Sequence, residues 1–155
     1  MARLRLIVGG CRSGKSAFAQ REAESFAAPR LYVATCPVVD AEMAARIERH
    51  QREREGRGWE TVEEPFDLAG VFARHSHGVV LVDCVTLWIN NLMYRAEQQS
   101  RSIDEAEIAA ECDTMLAAAS ERRGGVIFVS NEVGMGIVPE NEAARRFRDL
   151  VGRAN

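Results

Sequence analysis

The chain has no apolar run long enough to cross a bilayer, and it does not open with the apolar stretch of a signal peptide. A soluble, cytoplasmic protein is the expectation. Its four cysteines, Cys11, Cys36, Cys84 and Cys112, form no C-x-x-C pair and no zinc spacing, so they are expected as reduced thiols. Nor is there an excess of either charge. Lys and Arg total 20, Asp and Glu 23, and the net charge is −3. That balance leaves no electrostatic footprint for nucleic acid or an anionic membrane. Internal repeats and low-complexity segments are absent as well. What remains is a 46% apolar chain of 155 residues, suited to one domain spanning residues 1–155 with a real core.

Short apolar runs alternate with helical patterns along the chain. Leu4–Val8, Arg30–Thr35, Trp59–Val62, Gly78–Asp83 and Gly125–Ser130 read as strands. Lys15–Phe26, Asp40–Glu55, a helix opened by Pro65, Thr86–Tyr94, Ser102 to about Arg123 and Glu140–Val151 read as helices. Asp40 is the expected N-cap of the second helix, and Ser102 with Glu105 forms an expected capping box. Four consecutive apolar residues before Asp83 suit a strand buried on both faces. The alternation predicts an α/β fold, a mostly parallel sheet with helices on both faces. Sites in such folds lie at the carboxyl ends of the strands. Trp59 and Trp88 read as core residues.

Residues 9–16, GGCRSGKS, fit the pattern G-x-x-x-x-G-K-[ST], with a strand before and a helix after. Bare backbone at Gly9, Gly10 and Gly14 lets the amides of Cys11, Arg12 and Ser13 turn toward phosphate oxygens. The following helix offers its positive end. Lys15 can reach β- and γ-phosphates, and the Ser16 hydroxyl can ligate Mg²⁺. The chemistry also needs an acidic residue at the end of a second buried strand, and Asp83 fits. The other reading of Asp83 is a cap on the helix at Thr86.

Arg46, His50 and Arg54, four residues apart, share one face of the second helix, with Arg49 and Arg52 nearby. Such a face attracts phosphate, and a neutral imidazole within it could act as a nucleophile on phosphorus. Glu42, Glu48 and Glu53 are interleaved, so the residues alone favour a solvated, salt-bridged face. His75 and His77 form an H-x-H with no carboxylate or cysteine cluster beside it, which suits a helix end better than a metal site. Asn131–Gly134 (NEVG) is not the N-K-x-D segment of a GTPase switch.

Six segments in order, GGCRSGKS, YVAT, DAEMAARIERHQRER, W-x-T-V-E-E-P, LVDCVTLW and NEVGMGIVPENEAARRFRD, carry a resemblance that runs from Leu6 to Asn155. The chain resembles the bifunctional adenosylcobinamide kinase / adenosylcobinamide-phosphate guanylyltransferase family of cobalamin biosynthesis. The resemblance implies a P-loop NTPase-like (RecA-like) fold and two reactions. One phosphorylates adenosylcobinamide with ATP or GTP. The other transfers GMP from GTP to that phosphate through a GMP–histidine intermediate, giving adenosylcobinamide-GDP. By motif position, His50 matches the guanylylated histidine and Lys15 the phosphate-binding lysine. Gly9–Ser16, Ala34, Thr35, Cys36, Gln51, Arg52, Glu53, Arg54, Glu63 and Asp83 match nucleotide-contacting positions, with Mg²⁺ at Ser16 and Asp83. The resemblance also implies a homo-oligomer, often a trimer, and a further C-terminal strand beyond Asn155. A sheet without that strand is expected to present an open apolar edge. On the residues alone, a monofunctional small-molecule kinase and a non-catalytic GTP-binding module stay open.

Overall fold

The computed structural model describes residues 2–37 and 41–155. Asp40, the expected cap, lies outside the described residues, as do the side chains of residues 41–43 and 46. The strands are β1 (Arg3–Gly9), β2 (Arg30–Ala34), β3 (Trp59–Glu63), β4 (Val79–Asp83) and β5 (Gly125–Asn131). The helices are α1 (Lys15–Glu24), α2 (Ala41–Arg54), α3 (Leu68–Arg74), α4 (Val85–Gln98), α5 (Glu105–Glu121) and α6 (Glu142–Ala154). The sheet runs β1-β5-β4-β2-β3, every pair parallel. The predicted α/β class, strand set and strand–helix alternation all stand.

Helices cover both faces unequally. Ala19 and Ala23 of α1 pack with Val79, Leu81, Ile127 and Val129. Alternate residues of the same strands, Val80, Val82, Val126 and Phe128, face Trp88, Ile89, Leu92, Ile108, Met115 and Leu150 of α4, α5 and α6. β4 and β5 are thus apolar on both sides, which is what central parallel strands require. Trp88 is a core residue, and its indole N–H donates to the Phe66 carbonyl at 2.8 Å. Trp59 is half-buried and packs against the α1-side core. β1 forms one edge of the sheet. Its Leu4, Leu6 and Val8 side chains stay 37–45% exposed on the α5 and α6 side.

Helix starts differ locally from expectation. Asp104, not Ser102, caps α5. Its carboxylate accepts from the Glu107 amide at 2.8 Å, and Glu107 accepts in return from the Asp104 amide at 3.0 Å. Ile103 decides this placement, because it is buried with Ile108 in one core cluster and pins the chain just before the cap. Pro65 does not open α3. Glu64 turns back to accept from the Phe66 and Asp67 amides, both at 2.9 Å, and Asp67 then caps α3 through the Gly70 amide at 2.8 Å.

The Gly70 amide holds the Asp67 carboxyl below its ordinary range; slight burial opposes this and Arg74 supports it. A depressed folded value adds stability that is complete above the unfolded pKa of about 3.9 and is lost as pH falls through the folded one. Asp67→Ala is therefore expected to cost about 1 kcal/mol at neutral pH. In urea titrations, the gap to the native chain should close as the pH is taken below that unfolded value.

Candidate active site

Registered parallel pairing brings the strand ends together. Ala34 lies opposite both Asp83 and Glu63, and Gly9 lies opposite Asn131. The loop Gly9–Ser16 therefore rises from the β1 end of the same edge. Gly14 adopts φ 82°, a left-handed conformation that costs glycine little. A side chain at Gly9 would stand 2.8 Å from Ser13 Oγ, so the bare backbone there also serves close packing. Lys15 folds back over the loop and donates to the Gly10 carbonyl at 2.9 Å. Ser16 is exposed on the first turn of α1. That helix crosses beneath β5 and β4 rather than staying under β1, which carries the loop toward Asp83. Cys84 records the proximity. Burial pushes its thiol up to about 11, and the positive charge of Lys15 works in the opposite direction.

Asp83 does not cap α4. Cys84 holds the cap position without a side-chain hydrogen bond. The Asp83 carboxylate instead accepts from the Tyr32 hydroxyl at 2.9 Å. In register Tyr32 faces Leu81, so Asp83 is its diagonal neighbour on the α1 side of the sheet. Burial first, and the Asp83 charge second, raise the Tyr32 pKa well above normal. The phenol stays protonated and donates.

Arg54, the last residue of α2, is 4% exposed, and its guanidinium lies 3.6 Å from the centroid of the Tyr32 ring. Burial lowers its pKa, while the nearby Asp83 carboxylate opposes that. Its Nε is buried without a hydrogen-bond partner among the described residues. His50, one turn earlier, is about half exposed. Its Nδ1 lies 3.1 Å from Glu53 Oε2. A carboxylate can only accept, so Nδ1 carries the hydrogen in this contact, and Nε2 is the ring nitrogen left unengaged by Glu53. The shared face expected for His50 and Arg54 is thus divided, with the arginine turned in and the histidine out. Arg52 is exposed and pairs with Glu48 at 2.5 Å, as a solvated helix face would. Gln51 is half-buried.

Thr35 and Ala34 are buried at the end of β2. The Thr35 hydroxyl donates to the Cys84 carbonyl at 2.8 Å and accepts from the Cys84 amide at 2.7 Å. It ties the β2 and β4 ends together, so in this structure its side chain offers nothing to a nucleotide. Asn91 reinforces the tie by donating to the Thr35 carbonyl at 2.7 Å. Cys36 is half-buried just beyond, and Glu63 is exposed at the end of β3. His75 ends α3 and His77 pairs with Glu60 at 2.8 Å, far from the site along the strands. His75 thus takes the helix-end placement expected of the pair, whereas His77 has a carboxylate beside it that the sequence did not reveal. Residues 132–140 leave β5 beside the phosphate loop. Glu132 donates its amide to the Gly9 carbonyl at 3.0 Å, and Met135, Ile137 and Val138 are 62–96% exposed.

Tyr32 and Asn91 are working residues that sequence reasoning missed, and it did not anticipate the tie from Thr35 to Cys84. The signal for Tyr32 was its position, two residues before the end of the strand that neighbours the Asp83 strand.

A parallel sheet with a glycine-rich lysine loop after its first strand, and an acidic strand end one strand removed, defines a P-loop nucleotide-binding fold. The family described as cobinamide kinase / cobinamide phosphate guanyltransferase matches residues 5–155, and the chain belongs to it. The bifunctional adenosylcobalamin biosynthesis protein CobU of Escherichia coli is 41% identical, over 97% of this chain and 86% of its own length. CobU of Salmonella typhimurium is 40% identical over the same shares. The bifunctional adenosylcobalamin biosynthesis protein CobP of Pseudomonas aeruginosa is 38% identical over 95% of this chain and 82% of its own.

Replacing Thr35 with Val keeps the volume but strands the amide of Cys84 in the interior, while its carbonyl keeps only the Trp88 amide at 3.2 Å. A loss of about 1–3 kcal/mol is expected in chemical denaturation. Nucleotide affinity should weaken with it, because the Asp83 end of β4 is no longer held against β2.

Proposed function

We propose that this chain performs both transfers for which its family is named. In the first, the hydroxyl of adenosylcobinamide attacks the γ-phosphorus of ATP or GTP, and the nucleoside diphosphate leaves. In the second, His50 Nε2 attacks the α-phosphorus of GTP. The bond to the β-phosphate breaks and pyrophosphate departs. An oxygen of adenosylcobinamide phosphate then attacks the same phosphorus, the P–N bond to His50 breaks, and adenosylcobinamide-GDP is released. Direct attack of one phosphate on another would bring two anions together, whereas a neutral imidazole avoids that repulsion and divides the step.

The observation that carries this reading is the chain of contacts from the phosphate-loop side of the sheet to the His50 helix. Asp83 accepts from Tyr32, and Tyr32 carries Arg54, one turn from His50. Glu53 engages the imidazole at Nδ1 and leaves Nε2 unengaged. Lys15 and the backbone amides of residues 9–16 would hold the phosphates and stabilise charge on their oxygens. Glu63, at the end of β3, and Gln51 and Arg52 of α2 stand as nucleotide-contacting candidates.

The donor set also suits Mg²⁺. Ser16 offers a hydroxyl oxygen and Asp83 a carboxylate oxygen not used by Tyr32. Such a small set of oxygens fits an ion held largely by nucleotide phosphates. When bound there, the ion would neutralise charge between adjacent phosphate groups. No cluster of three His, Cys, Asp or Glu side chains that could cage a metal alone occurs among the described residues. No helix among them is long and apolar enough to cross a membrane.

Intact-protein mass spectrometry after incubation with GTP and Mg²⁺ tests the assignment. The native chain should gain an acid-labile addition of GMP size, and His50→Ala should not while still binding GTP. A variant that still gains the addition would remove His50 from the mechanism. A native chain that binds GTP and gains none would leave a kinase or a simple nucleotide-binding module.

A further inference from the structure

We propose that Tyr32 is a positioning residue shared by the two transfers, its hydroxyl orienting Asp83 and its ring seating the root of the helix that carries His50. The inference deepens the reading above and rests on its assignment of Asp83 and His50.

Three observations support it. The hydroxyl donates to Asp83 Oδ2 at 2.9 Å, which leaves Oδ1 as the carboxylate oxygen not engaged by Tyr32. The ring face lies 3.6 Å from the Arg54 guanidinium carbon, and its edge meets Trp59 at 6.3 Å and 76°. Arg54 is the buried end of a helix whose described residues are otherwise mostly exposed: Ala44, Ala45, Glu48, Arg49, His50, Arg52 and Glu53 all face solvent. The Tyr32 ring is therefore the principal seat of α2. The cation–π contact with Tyr32 and the nearby Asp83 charge hold the guanidinium there.

The two atoms of contact are separable by substitution. Tyr32→Phe removes the hydroxyl and keeps the ring. Tyr32→Leu removes both. Partners that orient a metal-binding carboxylate typically change metal affinity about tenfold or more when lost. With a fluorescent GTP analogue as probe, the Mg²⁺ concentration for half-maximal binding should rise about tenfold in Tyr32→Phe. Hydrogen exchange across α2 should stay native in that variant. In Tyr32→Leu, exchange across residues 44–54 should accelerate and GMP addition should slow, with thermal melts confirming that the chain remains folded. A native Mg²⁺ dependence in Tyr32→Phe would overturn the role of the hydroxyl. Native exchange across α2 in Tyr32→Leu would overturn the role of the ring. If Tyr32→Leu does not fold, faster α2 exchange in Tyr32→Phe would also overturn the division of labour. Absence of any GMP addition in the native chain would defeat the His50 assignment instead, while the Mg²⁺ titration and the exchange data still decide on Tyr32.

Discussion

Parallel pairing in register is the constraint on which the rest depends. It forces the strands to finish along one edge, and Ala34 falls beside both Asp83 and Glu63 while Gly9 falls beside Asn131. Residues distant in sequence become neighbours without any long-range side-chain contact being needed to bring them there. Two further facts convert this edge into a site. One strand, β5, stands between the loop strand and the Asp83 strand, and α1 crosses beneath the gap. Alternation along β2 and β4 puts Tyr32 and Asp83 on the α1 side, while Leu31, Val33 and Val82 go to the opposite core. A one-residue slip of β2 against β4 would turn Tyr32 away from Asp83 and break the chain of contacts at its first link. The Thr35 tie to Cys84, made on both backbone groups of that residue, guards against such a slip at the end where it would matter most.

Helix α2 shows how burial divides a charged face. Arg54 and His50 are one turn apart, yet one is 4% exposed and the other about half exposed. Arginine tolerates this because its planar guanidinium stacks on an aromatic face and is weakly hydrated compared with an ammonium. Histidine outside the contact keeps a lone pair available. Glu53 belongs to the same device. On sequence it reads as one more partner in a solvated salt-bridge pattern, but its carboxylate lies beside Nδ1 and so leaves Nε2 as the nitrogen it does not engage. The helix thus carries a buried anchor, an exposed imidazole and a carboxylate bonded to that imidazole within five residues.

Much of this was legible in the sequence because it is written in local patterns. The phosphate loop needs glycines, a lysine and a serine at fixed spacing, and Asp83 follows an unmistakable buried strand. The strands and their order of alternation followed from periodicity. What periodicity could not resolve were choices settled by tertiary packing. Ser102 and Asp104 are both competent caps, and burial of Ile103 selected the second. Pro65 and Asp67 both suit a helix start, and the Glu64 carboxylate, by taking two amides, moved the start to Asp67. Thr35 matched a nucleotide-contacting position by resemblance, yet its hydroxyl is spent on the backbone of Cys84. Tyr32 was opaque for a different reason. An aromatic in a strand reads as core, and only the diagonal register with Asp83 and the docking of Arg54 reveal that both its ring and its hydroxyl are employed.

Two transfers from one loop require that either the γ- or the α-phosphorus can meet an acceptor while the phosphates stay near Lys15. The loop cannot shift far, since Glu132 ties the β1 end to the chain leaving β5 and α1 is packed into the core through Ala19 and Ala23. The adjustable part must then be the element least committed to the body. Helix α2 fits that description, being mostly solvent-facing and rooted at Arg54. A root made of a guanidinium lying flat on a ring resists being pulled away more than it resists turning, because stacking has one preferred spacing and few directional hydrogen bonds. Any turn about that contact would move His50, one helical turn from Arg54, through a short arc while leaving Asp83 in place.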